Sequence, residues 1–270
     1  MKGSIDMSIL EAIILGIVQG FTEFLPVSSS GHLVLLQKIF RIEEGALTFD
    51  IALHLATLIA VLVVYRKKIF EMIKNPFSKL PMYIIIGTIP VAVFGILLND
   101  LIESFFETGA TLGTGFIFTG LVLMYADNAR EKKRTIEQMN VKDPLIIGTS
   151  QAVAMLPAVS RSGMTISAAL ALGIERKTAA DFSFLLSIPA ILGAVVVDLY
   201  KVVKTGAGEL AAIGAAPFVF GMLFAGVAGF IAVKSMINLI QRQKLKYFSY
   251  YLWIIGVFVL IDQLVLHVFF

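Results

Sequence analysis

Apolar residues run along this chain in long blocks, separated by short polar and basic segments. A hydrocarbon core of about 30 Å takes roughly 20 residues of helix to cross. Six stretches approach that length: Thr48–Tyr65, Met82–Leu98, Thr111–Ala126, Phe182–Tyr200, Pro217–Ile237 and Phe248–His267. Two further apolar stretches, Ile9–Phe40 and Leu145–Leu172, are broken near the middle, by Pro26 through Gly31 and by Pro157 through Gly163. Proline removes a backbone donor, and serine and glycine favour turns. Each broken stretch predicts a hairpin of two half-length helices that enters the membrane and returns on the same side. Irregular backbone at that depth is tolerated only where it is buried in protein or lines a wet cavity.

The two breaks share a motif at a constant offset of 132 residues. Gly16, Gln19, Val27, Ser28, Ser30 and Gly31 are matched by Gly148, Gln151, Val159, Ser160, Ser162 and Gly163. Weaker echoes follow downstream, where Phe49 and Leu53 match Phe182 and Leu186, and Gly87 and Gly95 match Gly221 and Gly229. The pattern predicts one membrane domain spanning residues 1–270, built from two repeats of about 7–130 and 140–270. Each repeat holds one hairpin and three spans. An odd number of spans turns the second copy upside down, the arrangement in which broken helices meet near the midplane. The expected fold is an all-α integral membrane protein with six transmembrane helices, two re-entrant helical hairpins and two inverted-topology repeats.

Charge sets the orientation. Sixteen basic residues fall in loops on one face: Arg66, Lys67, Lys68, Lys74, Lys79, Arg130, Lys132, Lys133, Arg134, Lys142, Arg176, Lys177, Lys234, Arg242, Lys244 and Lys246. The other face holds Lys2, Lys38, Arg41, Lys201 and Lys204, and Arg161 is left inside the membrane. The positive-inside rule places the first set in the cytoplasm, so the N- and C-termini are expected outside and the first hairpin enters from outside. Composition agrees with the class: 58% hydrophobic, 15% charged and mean hydropathy +0.89. Soluble domains carry about 25% charged residues. A net charge of +3 gives no argument for a nucleic-acid partner, and zero cysteines exclude disulfides and thiolate-held metals. The opening run Met7–Leu25 carries Glu11, Gln19 and Glu23 and has no small-x-small cleavage site, so it reads as mature sequence.

Ionisable groups inside such segments are costly and mark function. Gln19 and Glu23 share one helix face at i, i+4, and their oxygens suit a hard divalent cation; Glu23 could equally act as a base. Ser28, Ser29 and Ser30 precede Gly31 and His32 and form a turn whose amides and hydroxyls would cradle an anion. Arg161, flanked by Ser160, Ser162 and Thr165, offers a planar fork to phosphate oxygens. The Asp50–His54 pair either supports this site or is structural. Asp181, Asp198 and Asp262 read as solvated boundary residues, and the run Arg130–Arg134 as a basic loop. A carboxylate, an imidazole, a guanidinium and hydroxyls converging in an apolar setting point to hydrolysis of a lipid-linked phosphate or diphosphate.

The segments Gln19-Gly-Phe-Thr-Glu23-Phe-Leu-Pro-Val-Ser-Ser-Ser-Gly-His32 and Pro157-Ala-Val-Ser-Arg161-Ser-Gly-Met-Thr165 closely resemble the two signatures of the undecaprenyl-diphosphatase family, the bacitracin-resistance proteins. The resemblance covers essentially the whole chain. It implies hydrolysis of undecaprenyl diphosphate to the monophosphate, which recycles the carrier lipid of cell-wall synthesis. It also implies a plasma-membrane location and a divalent cation, Mg2+ or Ca2+. The family's acidic motif falls on Gln19 and Glu23, its serine and histidine on Ser29 and His32, and its arginine on Arg161. Ala158 stands where the family usually has glycine. On this reading Glu23, Ser29, His32 and Arg161 are catalytic. Gln19, Ser28, Ser30, Ser160, Ser162 and Thr165 contact the polyprenyl diphosphate, and Glu23 with Gln19 holds the metal. The nucleophile is Ser29, His32 or water. The alternative function is a lipid-phosphate transporter built on the same repeats. Gly87, Gly95, Gly221 and Gly229 permit close packing within the chain or in a homodimer.

Overall fold

The computed structural model describes residues 7–42, 46–129, 133–205, 213–242 and 244–270. Lys2, Arg130 and Lys132 of the charge count lie outside them. The described residues form α-helices with no β-strand: α1 Ile9–Phe24, α2 Ser29–Phe40, α3 Ala46–Lys74, α4 Lys79–Thr108, α5 Leu112–Asp127, α6 Lys142–Val153, α7 Arg161–Ala171, α8 Arg176–Thr205, α9 Ala215–Arg242 and α10 Lys246–Ile261. Five of them contain segments long and apolar enough to cross a membrane: Ala46–Lys74, Lys79–Leu98, Arg176–Val202, Ala215–Ile240 and, with the π turn after α10, Lys246–Leu266. The protein is an all-helical membrane protein. The sixth expected span is α5, a shorter apolar helix of 16 residues.

The helices outrun the apolar blocks that announce them. In α3 the helix continues through Arg66, Lys67 and Lys68 to Lys74 and stops at Asn75-Pro76. Charge ends an apolar run without ending a helix, whereas a residue before proline is steered out of the α region. In α4 the helix passes Pro90, kinks at Leu98 (φ −120°, ψ 15°) and ends at Gly109, whose φ of 64° only glycine adopts without strain.

Both interrupted stretches break where their prolines predict. α1 ends at Leu25-Pro26 and α6 shortly before Leu156-Pro157. The four resulting helices have 16, 12, 12 and 11 residues, each short of a full crossing. α2 is capped by Ser28, whose Oγ accepts from Gly31 N at 3.4 Å, and α7 by Ser160, whose Oγ accepts from Gly163 N at 3.1 Å.

α1 lies against α9, and α6 against α4. Both crossings rest on glycine pairs. A Cβ on Gly16 would sit 2.3 Å from the Gly221 carbonyl oxygen, and one on Gly148 would sit 2.1 Å from the Gly87 carbonyl oxygen. Gly229 faces Ala60, Phe24 and Thr57, and Gly95 faces Met155. These glycines bring helices of one chain into backbone contact, so they no longer argue for a contact between copies.

Three polar features differ from their sequence reading. Asp262 is buried and accepts from the backbone N–H groups of Val268, Phe269 and Phe270, tying down the C-terminal segment. Asp181 accepts from the Tyr65 hydroxyl at 2.7 Å and from Lys68 at 2.6 Å, so it is paired and not merely solvated. Arg134 forks onto both oxygens of buried Asp143 and also donates to the Leu172 carbonyl. It is a structural clamp, because a guanidinium matches a carboxylate and still has donors left over.

Candidate active site

The site lies where the breaks of the two hairpins meet. Glu23 occupies the last turn of α1 and is buried, backed by Phe24, which packs edge-on against Phe184 of α8 at 5.8 Å. Its carboxylate is gripped from both hairpins. Oε1 accepts from Arg161 Nη2 at 2.6 Å; Oε2 accepts from Ser29 Oγ at 2.5 Å and from Gln19 Nε2 at 3.0 Å. His54 Nε2 stands 3.6 Å from the same Oε2. The i, i+4 spacing places Gln19 beside Glu23. The cap geometry puts Ser29 at the first position of α2 and Arg161 at the first position of α7, both directed at the carboxylate.

His32 is buried one turn into α2. Its Nδ1 donates to the Ser28 carbonyl at 2.6 Å, a bond that fixes the tautomer, so Nε2 accepts from the Tyr251 hydroxyl at 2.8 Å. Its ring stacks on Tyr251 and meets Phe116 edge-on. Gly31 is required here, because a Cβ would fall 2.6 Å from the Phe116 ring.

The remaining hydroxyls hold the frame. Ser28 and Ser160 cap their helices. Ser162 Oγ donates to the Leu25 carbonyl at 2.9 Å and joins one break to the other. Thr165 Oγ1 bonds the Arg161 carbonyl and Ser183 Oγ. Thr119 of α5 accepts from Ser160 N at 3.1 Å. Ser28, Ser160, Ser162 and Thr165 are buried, whereas Ser29, Ser30, His54 and Arg161 keep partial exposure and form the open face.

The structure thus brings Gln19, Glu23, Ser29 and Arg161 into one constellation, with Ser30 beside it. His32 faces Tyr251. His54 joins through Glu23, while its neighbour Asp50 turns aside to accept from Gln37 at 2.8 Å. The sequence reading left His54 open and missed Tyr251 and Ser183. His54 carried a signal in its polar i, i+4 pairing with Asp50. Tyr251 carried none, because tyrosines near the end of an apolar span are ordinary interfacial residues.

Several buried polar atoms here lack a protein partner: Gln19 Oε1, Arg161 Nη1 and both amide atoms of Gln151, the residue equivalent to Gln19 in the second hairpin. Gln19 Oε1 and the Glu23 carboxylate are hard oxygen donors of the kind a divalent cation takes. Among the described residues no group of three or more His, Asp or Glu could hold a metal ion, so a cation held here would need phosphate oxygens and water for most of its shell.

Comparison with known proteins gives the family. The family model described as bacitracin resistance protein BacA matches residues 12–258, and the chain belongs to that family. It is 49% identical over 257 residues to the undecaprenyl-diphosphatase of Carboxydothermus hydrogenoformans, covering 95% of this chain and 98% of that protein. It is 46% identical to undecaprenyl-diphosphatase 3 of Bacillus cereus with the same coverage. The undecaprenyl-diphosphatase of Methanobrevibacter smithii is 39% identical over 279 residues, covering 96% of this chain and 99% of its own length.

Proposed function

We propose that this protein hydrolyses undecaprenyl diphosphate to the monophosphate and inorganic phosphate, at the meeting point of two re-entrant hairpins related as inverted repeats. The observation that carries this reading is the Glu23 carboxylate, held on one oxygen by Ser29 and on the other by Arg161 within apolar helices. The names of the relatives support the substrate. The paired crossings, Gly16 on Gly221 and Gly148 on Gly87, support the repeats.

A diphosphate head competes with Glu23 for the guanidinium, because Arg161 already has one unpartnered nitrogen and a fork suited to phosphoryl oxygens. As Arg161 turns to the terminal phosphate, Glu23 becomes the base for Ser29, whose hydroxyl already donates to it. Ser29 Oγ attacks the terminal phosphorus, its proton passes to Glu23, the bridging P–O bond breaks and undecaprenyl monophosphate leaves. Water then cleaves the seryl phosphate to release inorganic phosphate. Arg161 stabilises charge on the equatorial oxygens in both steps. His32 positions the turn through the Ser28 carbonyl. A divalent cation, Mg2+ or Ca2+, would be held by Glu23 and Gln19 and would neutralise charge on the diphosphate. Substrate contact falls to Ser29, Ser30 and Arg161, while Ser28, Ser160, Ser162 and Thr165 keep the two breaks in register. The transporter alternative gains no support from the comparisons.

The test is phosphate release from undecaprenyl diphosphate by purified protein, with and without a chelator. Release that the chelator abolishes is expected; no release by wild type overturns the reading. Trapping with radiolabelled substrate should give an acid-stable phosphoserine at Ser29. An acid-labile label would transfer the nucleophile role to His32, and no label would transfer it to water. The basic-loop asymmetry supports a site reached from the outer leaflet with both termini outside. The chain has no cysteine, so a single Ser30→Cys should react with an impermeant thiol reagent added outside. Labelling only from the cytoplasm reverses the orientation.

A further inference from the structure

A second polar concavity lies away from the hairpins, where α3 ends, α8 begins and α9 nears its end. It has a volume of about 420 Å³ and is walled by Arg66, Lys67, Lys68, Lys177 and Lys234 on its polar side and by Val63, Val64, Phe230 and Ile237 on its apolar side. The single carboxylate among its lining residues, Asp181, is held by Lys68 at 2.6 Å and Tyr65 at 2.7 Å. Among the described residues no carboxylate lies within 4.0 Å of Arg66, Lys67, Lys177 or Lys234, so four cations face the cavity unneutralised. Lys234 lies over the Phe230 ring at 4.4 Å, which keeps its ammonium at the rim.

The positive-inside rule accounts for basic residues in loops on one face. It does not require cations from three separate helices to rim one cavity with an apolar wall. The volume is in the range of small-molecule sites. Lys177 also sits in the first turn of α8, where free backbone N–H groups favour an anion. Cations on one side and apolar side chains on the other match a ligand with a phosphate head and an acyl chain. We infer that this cavity binds the phosphodiester head group of an anionic phospholipid at the cytoplasmic membrane boundary, with its upper acyl chain against Val63, Phe230 and Ile237. The site is separate from Glu23 and Arg161 and does not depend on the hydrolysis reading.

The test titrates the full-length, detergent-solubilised protein with dioleoylphosphatidylglycerol, dioleoylphosphatidylcholine or inorganic phosphate, following bound lipid by native mass spectrometry and protection by thermal melting. Phosphatidylglycerol should bind and protect. The double variant Lys177→Gln, Lys234→Gln should bind it about tenfold or more weakly, since each basic residue near a charged lipid surface contributes appreciably. The Lys177→Arg, Lys234→Arg variant should retain binding. Equal protection by phosphatidylcholine overturns the head-group assignment, and equal protection by inorganic phosphate overturns the lipid assignment. Undiminished binding by the Gln variant, or loss of binding by the Arg variant, overturns the site.

Discussion

The two breaks share a frame and divide the chemistry. Each opens with a serine cap, Ser28 or Ser160, and each cap hydroxyl lies 3.3 Å from a second one, Ser30 or Ser162. Across the 132-residue offset Ser29 corresponds to Arg161. These equivalent residues hold the two oxygens of the same carboxylate. Opposite Glu23 and His32 the second half carries methionine, Met155 and Met164. One half therefore supplies carboxylate, hydroxyl and imidazole, and the other supplies the guanidinium. The backbones diverge as well: Ser28 takes φ 69°, whereas Ser160 is extended and the left-handed residue is Ala158 at φ 60°. Two breaks built alike can keep the same caps and crossings while their reactive groups are complementary.

That division can be broken most severely at Glu23 and Arg161. Arg161→Ala and Glu23→Ala should each lower phosphate release by about 10³-fold or more, as expected when charge stabilisation of a transferring phosphoryl group is lost. Melting temperatures close to wild type would show that the loss is chemical. A smaller effect follows from making the first half resemble the second. His32→Met should cost about 10–100-fold through a misplaced Ser29, with Met164→His restoring none of it, and steady-state kinetics on both variants would decide the point. The shared frame is tested by Gly148→Val, which drives side-chain atoms into the Gly87 carbonyl. It should destabilise by about 1–3 kcal/mol, read by thermal unfolding in detergent, because overpacked interiors typically lose that much. Tyr251→Phe removes one hydrogen bond to His32 and should lower kcat about fivefold with KM nearly unchanged, matching a net bond of about 1 kcal/mol. Smallest of all, Ala158→Gly relieves a left-handed alanine but removes a methyl packed against Gly31 and Gly115. Its unfolding free energy should move by less than about 1 kcal/mol.

Much of this architecture was legible because membrane helices announce themselves in runs, and because a Pro-Ser-Gly cluster inside a run has few structural explanations. Glu23, Ser29 and Arg161 could be singled out for the cost of placing them there. Which partners they take could not be read, since the contacts of α1 with α7 and of α2 with α10 join residues more than a hundred positions apart. Tyr251 shows the limit: its sequence neighbourhood is that of any interfacial tyrosine, and its role exists only once α10 lies beside α2. Asp262 and Arg134 were misread for a related reason. Charge near an apolar boundary looks solvated until the backbone amides or carboxylate that satisfy it are seen. α5 looked like its fellow spans because hydropathy reports apolarity more faithfully than helix length.

The Gly16–Gly221 crossing has a bearing on biogenesis. α1 crosses a helix that follows it far along the chain, so this glycine contact can form only after residues 215–242 have been synthesised. Glu23 meets its guanidinium earlier, once Arg161 at the start of α7 has been made. That crossing therefore closes like a clasp late in assembly, and a chain cut short before α9 would leave α1 without its glycine-matched partner.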